Sequence, residues 1–344
     1  MIDNSAMDGD DDCISELKAD ESDMIRSNLF SCMIAVIFAL ATTKATAQDR
    51  ACDDFLTEEF FASASPEVVA TCLEQGRAVD ERDDQRNSPL HLAVAYAPDA
   101  RVTWVLLRAG SDPSLKNLAK HTPMHMAAAY AIDPLQVVTL AFWGAEVDRG
   151  REGDDCKWPM TTCTTTPLHL AARRPEAVDV VTALIEAGAA TDIFAGIDLA
   201  DIDEDLKEDK SLLPLHLAAR HAGVETVGVL LQAEAKVDAK DKGRKKRTAL
   251  HYAAARKAGA LDIVQALLDA GASADATDFE NTTPLMLAAI HSTDPEVVAV
   301  LLDAAEKPCM ENKAKSTASL MMHEYNPALQ DDDVFTRLHD RCSE

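Results

Sequence analysis

Aromatic residues are scarce in this sequence: Phe, Trp and Tyr make up 5% of its 344 positions. Strand-rich domains draw on aromatic and β-branched side chains, so their scarcity beside abundant alanine points to packed helices. Basic residues are also few, 33 Lys and Arg against 59 Asp and Glu, for a formal net charge of -26. Such a chain lacks the net basic face that phosphate-backbone binding needs, which argues against nucleic acid as a partner. The apolar run Leu29 to Ala41 is shorter than the roughly 20 residues of a membrane-spanning helix. A nucleophile elbow, a phosphate loop and an H-E-x-x-H motif are all missing, so an enzyme has nothing positive to rest on. What is present is 47% hydrophobic residues, enough for a substantial core and too many for wholesale disorder.

Residues 1–23 hold nine carboxylates and one cation, Lys18, without apolar periodicity. Arg26, the run Leu29 to Ala41 and the small-residue stretch ending Ala45-Thr46-Ala47 then have the order of a secretory signal peptide. This reading expects an acidic, mis-started extension over 1–23, a true start at Met24, a leader over 24–47 and no membrane span after its removal. The compact leader suggests a bacterial source, with a periplasmic or secreted product.

Removal of the leader leaves Cys52, Cys72, Cys156, Cys163, Cys309 and Cys342. Six cysteines allow fifteen pairings. Proximity along the chain favours Cys52–Cys72, Cys156–Cys163 and Cys309–Cys342, which would staple the two ends of the mature chain and one loop. No C-x2-C pair suggests a zinc site.

One phrase recurs six times. It reads Ser88-Pro89-Leu90-His91-Leu92-Ala93, Thr122-Pro123-Met124-His125-Met126-Ala127 and Thr166-Pro167-Leu168-His169-Leu170-Ala171. It continues as Leu213-Pro214-Leu215-His216-Leu217-Ala218, Thr248-Ala249-Leu250-His251-Tyr252-Ala253 and Thr283-Pro284-Leu285-Met286-Leu287-Ala288. Steps between the proline-equivalent positions are 34, 44, 47, 35 and 35 residues. The phrase resembles the ankyrin repeat, whose period is about 33 residues and whose signature is T-P-L-H-x-A. Its chemistry explains its recurrence. Thr can cap a helix, Pro fits the first helical turn, and the small alanines allow close helix approach.

A second apolar helix follows each copy, and four of these helices end at Gly110, Gly144, Gly188 and Gly271, suited to a left-handed C-terminal cap. Glu234 stands at that position in the fifth unit. The expected fold is all-α: an ankyrin-repeat α-solenoid over 48–344, with short hairpin tips, an N-terminal cap unit (48–84), six repeats (85–314) and a C-terminal cap (315–344). The long steps mark insertions at 149–165 and 193–212.

His91, His125, His169, His216 and His251 hold one position of the repeat. The resemblance makes them structural, bonded within and between units, and their spacing is too wide for shared metal ligation. Asp201, Asp203 and Asp205 start like a calcium loop, but Leu206 and Leu212 stand where glycine and glutamate belong. No cofactor or metal is expected.

In the family the two positions after the alanine pair face a concave groove. Here that column holds Tyr96, Tyr130, Arg173, Arg174, Arg220, His221, Arg256 and His291. Tyrosine and arginine are enriched at interface hot spots, so a groove that is aromatic at one end and basic at the other would suit a protein partner with an acidic segment. Lys242, Arg244, Lys245, Lys246 and Arg247 form a basic hairpin tip, either a solvated turn or an anion-seeking contact. The expectation is a monomeric, exported, non-catalytic interaction scaffold. Its rivals are a hydrolase with its site in the insertions and a stoichiometric inhibitor or immunity protein for an exported toxin.

Overall fold

The computed structural model describes residues 52–150, 165–194, 211–330 and 332–342. The expected extension and leader lie outside them, as do Cys156, Cys163, the acidic loop from Asp198 to Asp209 and most of both insertions.

The described residues form eight helix pairs. The first helices are α1 (Glu58–Ser63), α3 (Pro89–Tyr96), α5 (Pro123–Tyr130), α7 (Pro167–Ala172), α9 (Pro214–His221), α11 (Ala249–Ala254), α13 (Pro284–His291) and α15 (Ala318–Tyr325). The second helices are α2 (Pro66–Glu74), α4 (Ala100–Arg108), α6 (Leu135–Phe142), α8 (Val178–Glu186), α10 (Val224–Gln232), α12 (Leu261–Asp269), α14 (Pro295–Ala304) and α16 (Asp333–Arg341). Each first helix packs on the next first helix, and each second helix on the next second helix. This is the nearest-neighbour order of a solenoid.

The first helices are apolar nearly all round because they lie between two others and their own partner. In α9, Pro214, Leu215, His216, Leu217, Ala218 and Ala219 are all buried. Second helices bury one stripe, as Ile263, Val264 and Leu267 do in α12, and leave charges outside. One continuous core runs from Cys52 to Leu338. At its ends Cys52 is bonded to Cys72 and Cys309 to Cys342, spanning 20 and 33 residues. The first bridge lies within the N-terminal cap unit and the second ties the C-terminal cap to the end of the repeat before it, and closing loops of this length stabilises by about 3 kcal/mol.

Five second helices end in a left-handed glycine, including Gly188 (φ 96°) and Gly271 (φ 88°). A Cβ at either would meet nothing within 4 Å. Backbone conformation, and not crowding, therefore selects glycine there. Glu234 adopts the same left-handed conformation, φ 58°, at a cost of about 1 kcal/mol for a residue with a Cβ. Glu234→Gly should raise the urea midpoint by the equivalent of about 0.5–1 kcal/mol, and Gly188→Ala should lower it by a similar amount. Chemical denaturation followed by circular dichroism checks both signs.

Candidate protein-binding surface

The repeated histidines form a ladder. Within each unit Nδ1 accepts the backbone N–H of the helix N-cap, at 3.1 Å for Ser88–His91 and 3.2 Å for Thr248–His251. That acceptor role leaves the proton on Nε2. Nε2 then donates to a carbonyl of the following unit: His91 to His121 at 3.1 Å, His125 to Thr165 at 3.0 Å, His169 to Leu212 at 3.1 Å and His251 to Thr282 at 3.0 Å. His216 reaches Ala239, 2.8 Å away in the next tip. Met286 takes the sixth place as a fully buried apolar side chain.

Burial favours the neutral ring and pushes His91, His169 and His251 down to about 4, against the opposing pull of their carbonyl partners. His216 is lowered for the same reason.

Carboxylates add a second periodic link. Asp80 accepts from the backbone N–H of Asp112, Asp148 from Ala190, Asp238 from Ser273 and Asp275 from Glu306, at 3.0–3.2 Å. Much of the repeated polar chemistry thus joins one unit to the next.

The column at the ends of the first helices divides in two. The Arg174 guanidinium donates to the carbonyls of Ala128 (3.1 Å) and Ala131 (2.9 Å) of the preceding unit. Arg256 donates likewise to Ala219 (3.3 Å) and Ala222 (3.0 Å). Both cap the carbonyl end of a neighbouring helix, where a cation also meets the negative pole of the helix dipole. Burial lowers both below the ordinary arginine value. Arg220 reaches forward to the Ala255 carbonyl at 3.4 Å. Arginine in this column is therefore explained in large part by stacking.

Tyr96 is half-buried, and its hydroxyl donates to Glu58 Oε1 at 2.7 Å. Burial and that carboxylate raise its phenol well above the usual range. Tyr130 stands out at 52% exposure. Arg173, His221 and His291 are half-buried.

Much of the basic tip is likewise spent on joints. Lys240 Nζ donates to the Thr277 carbonyl at 2.7 Å, and Lys242 Nζ sits 3.9 Å from the Phe194 ring centre. Lys246 is left-handed and reaches back to the Lys242 carbonyl at 3.3 Å. Arg247 pairs with the buried Asp278 at 3.4 Å, while the Lys245 carbonyl accepts Phe279 N–H at 2.6 Å. Arg244 is exposed.

Sequence reading passed over one surface feature. On α6, Leu135 (56% exposed), Val138 (40%) and Phe142 (56%) lie on the outside, with Ile132 and Trp143 exposed beside them. The equivalent outer positions carry Glu67 and Glu74 on α2, Asp179 and Glu186 on α8, Asp262 and Asp269 on α12, and Glu296 and Asp303 on α14. Aligning the second helices with one another, instead of reading each for its apolar content, would have exposed the exception.

Residues 215–312 match the family model for ankyrin repeats in three copies, and residues 165–195 match the model for a single ankyrin repeat. The fold is an ankyrin-repeat solenoid. Its architecture is similar to that of the human ASB11 ankyrin repeat domain, with a TM-score of 0.55 at 23% identity, covering 73% of this chain and 98% of that one. Ankyrin repeat and SOCS box protein 3 of Homo sapiens is 37% identical over 125 residues, 36% of this chain and 21% of that protein. Its Bos taurus counterpart is 36% identical over the same length, 36% of this chain and 20% of that protein. The chain spans about a fifth of the length of these curated relatives. Both are mammalian, and the bacterial setting expected above rests on the leader alone. Among the described residues of the ankyrin solenoid, no helix is long and apolar enough to cross a membrane.

Two predictions follow from the links between ankyrin units. The unfolded chain binds protons near pH 6.5 that the folded imidazoles take up only near 4, so stability is fully present above pH 6.5 and is lost as pH falls toward 4. His91, His169 and His251 each contribute a slope of about 1.4 kcal/mol per pH unit in that window. His251→Met, which copies the sixth repeat, should flatten the dependence of the denaturation midpoint on pH. Arg256→Ala should cost about 1–2 kcal/mol and speed amide exchange at the carbonyl end of α9, read by hydrogen-exchange mass spectrometry.

Proposed function

We propose that this ankyrin solenoid is a non-catalytic scaffold that holds a protein partner along the carboxyl ends of its first helices. The observation that carries the reading is the exposed Tyr130 ring at the end of α5, where Arg174 of the next unit holds the carbonyls of Ala128 and Ala131 on either side of it. A rigid platform lowers the ordering cost of binding, and a half-free tyrosine supplies contact area at little loss of side-chain entropy. The partner would present a carboxylate to Arg173 and an apolar group to Tyr130. The likeness to the ankyrin repeat and SOCS box proteins supports an interaction role and leaves the partner to be identified.

Export is part of the same proposal. The leader-like segment 24–47 supports it, as do the bridges Cys52–Cys72 and Cys309–Cys342, which persist in oxidising compartments.

The test is cross-linking capture from envelope and secreted fractions with two baits, the native chain and a Tyr130→Ala/Arg173→Ala variant of unchanged helicity. A protein held by the first and reduced at least about tenfold with the second fits a hot-spot pair. Equal capture by both would remove the first-helix row from the reading.

A further inference from the structure

The outer faces of three consecutive second helices, α4, α6 and α8, run from basic through apolar to acidic. On α4 the outer positions are Arg101, Trp104 and Arg108, on α6 they are Leu135, Val138 and Phe142, and on α8 they are Asp179, Thr182 and Glu186. Arg108 lies over the Trp104 ring, 5.1 Å from its centre. Arg101 pairs with Asp99 of its own helix N-cap at 2.7 Å. The Phe142 and Trp143 rings meet edge to face at 6.4 Å and close the apolar stripe at one end.

We propose that this face is a homodimer interface whose occupant is a second copy of the chain. The reason is its order of charge. A two-fold axis running along α6 places the apolar stripe of each copy against that of the other. The same axis sets α4 of each copy over α8 of its partner, so arginines face carboxylates on both sides. An isologous contact needs a surface complementary to itself, and the basic–apolar–acidic order satisfies that requirement. The perpendicular in-plane axis would set arginine on arginine and carboxylate on carboxylate, and is disfavoured.

A chain with a net charge of -26 repels its own copies at long range. An interruption of the acidic outer face at two adjacent units is therefore the place where copies can approach. Helices of this length at about 10 Å spacing give a face of a few hundred Å2, the size of a weak and reversible contact.

Sedimentation velocity on the purified chain from about 1 to about 200 μM is the test, with a dimer of dissociation constant about 10 μM expected. Phe142→Glu changes an exposed side chain, so helicity and the urea midpoint should stay within error while the dimer weakens at least about tenfold. The orientation is tested by charge exchange. Arg108→Glu alone and Glu186→Arg alone should each weaken association, and the double variant R108E/E186R should restore it. A chain that is monomeric over the whole range overturns the proposal and gives the stripe to a different protein. A dimer indifferent to Phe142→Glu, or single charge variants without rescue in the double, overturns it as well.

Discussion

Five of the eight described units depend on the next through a link no unit can make alone. The imidazole of the repeated histidine takes the N-cap amide of its own unit on one nitrogen and gives its proton to a carbonyl of the next unit on the other. The ring is buried, and a buried donor or acceptor without a partner costs about 1–3 kcal/mol. Displacing one unit against the next therefore leaves a polar group stranded at each such junction. The carboxylates of Asp148 and Asp238 and the guanidinium groups of Arg174 and Arg256 repeat the same logic at other heights of the stack.

This division of labour separates structure from recognition. Apolar first helices and polar links between units consume most of the repeated residues. What differs between units is then available for binding: an exposed tyrosine on α5, an apolar stripe on α6 and a pair of arginines on α4. The tyrosine and the stripe belong to the third unit and the arginines to the second, so both proposed contact surfaces fall there. One is at the ends of the first helices and the other on the outer face of the second, so a partner and a second copy need not compete.

The helix pairs were legible because their signals are local. A capping residue, a proline in the first turn, two alanines and a terminal glycine act within one unit, and the same phrase returned six times. The left-handed Glu234 was legible for the same reason, since it stands where four other repeats place glycine. The arginines were not. Arg174 and Arg256 read as surface side chains until the carbonyls of Ala128 and Ala222 appear within 3.1 Å and 3.0 Å of them, some 46 and 34 residues away. The α6 stripe escaped because Leu135, Val138 and Phe142 look like core residues when a helix is read alone.

The sequence by itself determined the repeat, its capping residues and the place of the recurring histidine, because each is written within one turn or one unit. The tertiary structure alone decided which cations were consumed in joints and which apolar side chains were left outside. Both outcomes depend on which units lie next to one another and on which side of a helix faces its neighbours. That orientation is set when the stack forms, since only then does each unit bury the face it could not bury alone.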